Sequence, residues 1–93
     1  MEYEFERNYF HDLENYSNDS EFFRLLAGKI KEIEKAVSLE DIPGLEEIRG
    51  RRVFFRFKIK TRKNTYRIGV KILHHVVWLV LIDNAKKRFY KRF

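Results

Sequence analysis

The chain has 93 residues, 20 Lys/Arg against 14 Asp/Glu for a net charge of +6, and no cysteine. That length predicts one small domain over residues 1–93, burying about two-thirds of the surface its unfolded chain exposes. Without Cys there is no disulfide framework and no Cys-based metal site, as expected of a reducing compartment. The longest uncharged run, Ile72–Ile82, is too short for a bilayer, and the acidic start Met1–Glu6 is wrong for a secretory signal, so a soluble cytoplasmic protein is expected.

Residues 2–6 alternate, Tyr3 and Phe5 on one side and Glu2, Glu4 and Glu6 on the other, as in a half-buried strand. Tyr9, Phe10, Leu13 and Tyr16 then recur at helical spacing, and the polar segment 15–20 is rich in capping residues. A longer helix follows, with Phe22, Phe23, Leu26, Ile30, Ile33 and Val37 as its apolar stripe. Lys29–Glu32 and Lys31–Glu34 pair opposite charges three apart on its polar side. Pro43-Gly44 breaks the helix, and Leu45 and Ile48 anchor the loop beyond it.

A strand over about 51–60 places Val53, Phe55, Phe57 and Ile59 on one face and Phe54, Arg56, Lys58 and Lys60 on the other. The polar turn 61–64 predicts a hairpin into a strand in which Tyr66, Ile68, Val70 and Ile72 alternate with Arg67, Gly69 and Lys71. His74-His75 is a second tight turn. Val76–Ile82 reads as a central strand buried on both faces. The tail Lys86–Phe93 is either a last short strand or a helical turn. The order β-α-α-β-β-β predicts an α+β fold, with two N-terminal helices on the apolar face of a mostly antiparallel sheet and the other face basic and exposed.

Charge is divided between the halves. Residues 49–93 hold 15 Lys/Arg and one acidic group, Asp83, while residues 1–48 hold five Lys/Arg and 13 acidic groups. A basic sheet face suits a polyanion, because cations that neutralise phosphates release counterions. Arg56, Lys58 and Lys60 share a strand face, and Arg67 can join them from the next strand. Phe54 among them either stacks a base or lies under the tail. There is no Ser/His/Asp set, no Gly-rich phosphate loop and no metal-spaced cluster of His and carboxylates, and no cofactor is expected.

The layout and motifs resemble the RelE/ParE superfamily of toxins from type II toxin–antitoxin pairs. Ile42-Pro43-Gly44-Leu45 through Arg49-Gly50 is similar to that family's lead-in to the sheet. Phe55-Arg56-Phe57-Lys58 and Tyr66-Arg67-Ile68 resemble its paired strands, and the tail resembles its basic ending with a Tyr. A RelE-like member is implied to be a metal-independent mRNA endoribonuclease that blocks translation, attacking the phosphate with the adjacent ribose 2′-OH. The resemblance implies a cognate antitoxin, mRNA and the ribosome as partners, and no membrane. By position it carries catalysis onto Arg67, Tyr90, Lys58 and Lys86, with Lys60 beside Lys58 as a second basic strand position. RNA contacts are expected of Arg56, Lys60, Arg62, Lys63, Lys87 and Arg88. Many relatives have a His five residues before the Tyr, where this chain has Ala85. The ParE-like alternative binds DNA gyrase and cleaves no RNA; an inactive basic binding module is the third reading.

Such cleavage needs a proton acceptor for the 2′-OH, cations for the charge developing on phosphorus, and a proton donor for the leaving 5′-oxygen. Arg supplies fixed bidentate phosphate contacts, and Lys supplies a mobile ammonium.

Overall fold

The computed structural model describes residues 1–93. Strand β1 (Glu2–Phe5) leads into helices α1 (Arg7–Asn15) and α2 (Ser20–Lys35), and a 3-10 turn follows at Leu39–Asp41. Strands β2 (Glu46–Glu47), β3 (Phe54–Lys60), β4 (Thr65–Leu73) and β5 (Val76–Asp83) precede a last helix, α3 (Lys86–Lys91). The sheet order is β1-β5-β4-β3-β2, with β1 parallel to β5 and every other pair antiparallel. The α+β arrangement agrees with the sequence expectation. β4 is the central strand, however, and β5, expected there, lies one place toward the edge because β1 pairs beside it.

Helices α1 and α2 bury Tyr9, Phe22, Leu26 and Ile33 on the sheet's inner face, against Phe57, Ile59, Tyr66, Ile68, Val70, Val77, Leu79 and Ile82. Every second residue of β3 and β4 enters this core, as pleating requires. Helix α2 begins where Asp19 accepts the Phe22 N–H at 3.0 Å and ends at Lys35, well before Pro43. Its stop comes from Asp41, whose carboxylate accepts the N–H groups of Val37 and Ser38. Val37 therefore leaves the apolar stripe and is 86% exposed. Lys29 and Glu32 pair at 2.9 Å as expected, whereas Glu34 accepts a hydrogen bond from Tyr3.

The outer face differs from the bare basic surface that the alternation predicts. The tail is a helix, and α3 lies across one part of that face. Phe89 joins Ile48 and Leu81 in a second small core, flanked by Phe54, Val80 and Phe93. Phe54 is thus covered by the tail, its ring 5.3 Å from that of Phe93. A register shift between β4 and β5 places Gly69 opposite Leu81 and Val70 opposite Leu79. The Phe93 ring rests on Gly69, where an added Cβ would stand 2.5 Å from it. Trp78, expected in the core, lies half-buried on the outer side beneath Lys71.

The tight turn at His74-His75 takes positive φ at both residues, 51° and 64°, as a two-residue hairpin demands. No helix is long and apolar enough to cross a membrane.

Candidate functional site

Strand register builds the site. Lys58 of β3, Arg67 of β4 and Asp83 of β5 stand in one row across three strands, and Arg56, Gly69 and Leu81 stand in the next. Both rows face outward, since the alternate residues fill the inner core. Gly69 leaves room that the Phe93 ring fills, and α3 brings Tyr90 onto the neighbouring Arg56. Arg56 Nε donates to the Tyr90 hydroxyl oxygen at 3.0 Å, and its Nη2 donates to Glu46 at 2.7 Å.

Arg67 is the unusual member. It is only 9% exposed, takes part in no ion pair, and its Nε has no hydrogen-bond partner. A buried Nε–H without a partner is costly, and a native structure that retains one invites an explanation. Burial by itself would push the Tyr90 phenol up. The hydrogen bond and charge of Arg56, and then those of Arg67, outweigh it and hold the pKa below the ordinary phenol value. The phenolate is therefore easier to form here than in water.

The remaining sequence-predicted residues distribute as follows. Lys58 and Lys60 are exposed on β3, and Lys86 and Lys87 are exposed in the first turn of α3. Arg88 turns toward the sheet and pairs with Asp83 at 2.7 Å. Arg62 and Lys63 lie in the β3–β4 turn, away from Tyr90. They border a polar cleft of roughly 800 Å³ with Asp19, Glu21 and Arg24, and the Arg62 N–H donates to Glu21 at 3.1 Å. The site thus gathers Arg56, Lys58, Arg67 and Tyr90, and leaves Arg62 and Lys63 in a separate feature.

Sequence reasoning missed four carboxylate and guanidinium residues here. Glu46 reaches Arg56 because a two-residue strand pairs with β3. Asp83, 1% exposed, accepts from Arg88, from Arg92 and from the Ala85 N–H. Asp12, 5% exposed on α1, accepts from Arg92 at 2.8 and 3.0 Å. Two signals were available: Asp83 is the sole acidic residue after position 48, and Asp12 lies on the apolar side of its helix.

No protein-family model matches the sequence, and no curated protein sequence matches it. Solved structures do. The chain is similar to one from the RelB–RelE antitoxin–toxin complex of Methanococcus jannaschii, with TM-score 0.75, 18% identity and 96% of each chain covered. It is similar to a chain of the intact E. coli RelBE toxin–antitoxin complex, with TM-score 0.62 and 21% identity over 90% of this chain and 95% of that one. A mutant of E. coli toxin RelE in the free state matches with TM-score 0.64 and 20% identity, over 97% of this chain and 90% of that one. These identities speak to architecture, and by that measure the chain has the RelE-like toxin fold.

Proposed function

We propose that the protein is the toxin of a type II toxin–antitoxin pair and acts as an mRNA endoribonuclease. One observation carries the reading: Arg67, buried on a RelE-like sheet with no carboxylate partner and its Nε unsatisfied, stands beside a phenol whose ionisation it and Arg56 favour. Two groups in this arrangement suit a phosphodiester. Arg67 holds the non-bridging oxygens and offsets the negative charge that grows on them as the 2′-oxygen attacks. Tyr90, hydrogen-bonded by Arg56, takes the 2′-OH proton as phenolate. The P–O5′ bond breaks, a 2′,3′-cyclic phosphate forms, and an ammonium such as Lys58 or Lys86 protonates the leaving oxygen. This assignment replaces the missing histidine at Ala85 with Tyr90, and it needs no metal or cofactor.

The partners follow from the RelE-like reading. Single-stranded mRNA, held on the ribosome, supplies the phosphate. A cognate antitoxin supplies an acidic or amphipathic segment across the cationic face. The solved RelB–RelE complexes support that partner. No observation favours the gyrase-binding reading.

The test is induced expression with pulse labelling of protein and DNA synthesis, together with mapping of mRNA 5′ ends. Wild type is expected to stop protein synthesis quickly and to generate new ends. Arg67→Ala, with an unchanged circular dichroism spectrum, is expected to do neither. An active Arg67→Ala protein would remove this site, and arrest of DNA synthesis alone would replace the reading.

A further inference from the structure

The nearest carboxylate to Arg67 in the sheet is already engaged elsewhere. Asp83 is its directly opposed neighbour on β5, and opposed side chains lie with Cβ atoms about 4.5–5.5 Å apart, close enough for an Arg–Asp pair. A buried Asp beside a buried Arg would normally pair with it, since each otherwise bears its desolvation alone. No such pair forms. Both Asp83 oxygens turn to the C-terminal helix instead. Arg88 Nε lies 2.9 and 2.8 Å from them, Arg88 Nη2 lies 2.7 Å from Oδ1, and Arg92 Nη1 lies 3.3 Å from Oδ2. The Ala85 N–H takes a further position on Oδ1 at 2.9 Å.

We infer that Arg88 and Arg92 are positioning residues that hold Asp83 away from Arg67, so that the buried guanidinium stays free for an anionic ligand. The inference rests on the reading of Arg67 as a phosphate-binding cation. It gives Arg88 a role other than touching RNA. Arg92 contributes by being fixed at its far end: its Nη2 is bidentate to Asp12, which also accepts the Ile82 N–H. Arg88 is fixed less, with its side chain 60% exposed, so removing it leaves the Phe89 and Arg92 anchors of the helix in place.

A simple count of charges makes a different prediction from this partition. On a charge count, loss of Arg88 and loss of the Asp83 charge act independently and in opposite directions. On the partition, Arg88→Ala releases Asp83 to capture Arg67, and Asp83→Asn prevents the capture. The effects are then strongly non-additive.

The experiment is a double-mutant cycle of wild type, Arg88→Ala, Asp83→Asn and the double variant, read in two ways. The first needs no RNA: the side-chain Nε–H resonance of Arg67 by ¹⁵N NMR, identified by its loss in Arg67→Lys. It is expected to shift in Arg88→Ala and to return to its wild-type position in the double variant. The second is affinity for a 2′-O-methyl oligonucleotide, which cannot be cleaved. Arg88→Ala is expected to weaken it about tenfold or more, and about threefold or less when Asp83 is already Asn. If Arg88→Ala does not fold, Arg88→Gln carries the same expectation. A resonance that does not move, or affinity losses that simply add, would overturn the inference. If the resonance behaves as expected but wild type binds no oligonucleotide, the partition stands and the proposed function falls.

Discussion

A cation that is buried for a ligand should burden the fold that buries it. On the proposed function Arg67 is such a residue, 9% exposed with Nε unsatisfied. An unsatisfied buried polar group costs about 1–3 kcal/mol, and more when it is charged. Arg67→Met keeps much of the stem volume and discards the charge. We therefore expect it to raise stability by about 1–3 kcal/mol, seen as a higher urea midpoint, while abolishing RNA cleavage. A destabilised Arg67→Met protein would mean that the guanidinium is satisfied in solution. The tyrosines give a second residue-scale test. Burial pushes Tyr9 up to about 12, and burial with the Asp19 hydrogen bond pushes Tyr66 up to about 12. Tyr90 moves the other way, because Arg56 and Arg67 outweigh its burial. In an alkaline absorbance titration, the component that vanishes in Tyr90→Phe should ionise before those of Tyr9 and Tyr66. The signs for stability also oppose. Tyr9 and Tyr66 contribute fully below pH 10 and lose that contribution as pH rises toward 12. Tyr90 contributes only as pH rises through its lowered pKa toward 10.

At the scale of elements, α3 is the piece on which the site depends, and it is short. Beyond the end of β1 the edge of β5 is open, and two side chains replace the missing strand. Asp12 accepts the Ile82 N–H at 2.9 Å, Arg92 donates to the Ile82 carbonyl at 3.2 Å, and the two bind each other. Asp12→Ala should therefore cost about 3 kcal/mol, because it leaves a buried N–H and the Nη2 of Arg92 without partners. Thermal melts check the loss; an unchanged melting temperature would place the hold on α3 in the Phe89 core alone. The sequence made the long strands legible because Phe55, Phe57 and Ile59 alternate with Arg56, Lys58 and Lys60, a period that depends only on the pleat. It placed Arg56, Lys58 and Arg67 together for the same reason. Strand β2 was invisible because two residues carry no period. Helix α3 was ambiguous because five cations mask the Phe89–Phe93 spacing of four, which is its only apolar signal. The Asp83 partition could not be read at all, since it depends on α3 folding back over the sheet.

Across the whole molecule, charge is sorted by layer. The acidic half of the chain supplies α1 and α2 on the inner side, and the basic half supplies the sheet's outer face and α3. Part of that cationic charge is compensated internally: Arg56 by Glu46, Lys71 by Glu6, Arg88 by Asp83, and Arg92 by Asp12 and Asp83. Lys58, Lys60 and Arg67 form no ion pair, and Arg56 can exchange an exposed glutamate for a phosphate. With RNA confined to the compact site, only these four groups release counterions, and other cations without an ion pair, such as Arg62, Lys63 and Lys87, lie outside it. Four phosphate contacts to a single strand predict a slope of log affinity against log salt of about −3, far shallower than the 15 cations of residues 49–93 would give if all engaged. Lys58→Gln and Lys60→Gln should each reduce the steepness by about 0.7. Lys71→Gln should leave it unchanged, because that ammonium is held by Glu6 and lies over Trp78. A slope near −10 in the wild type would mean that RNA spreads over the whole basic half, including the β3–β4 turn with Arg62 and Lys63, and the compact site at Arg67 and Tyr90 would then be only one part of a much longer track.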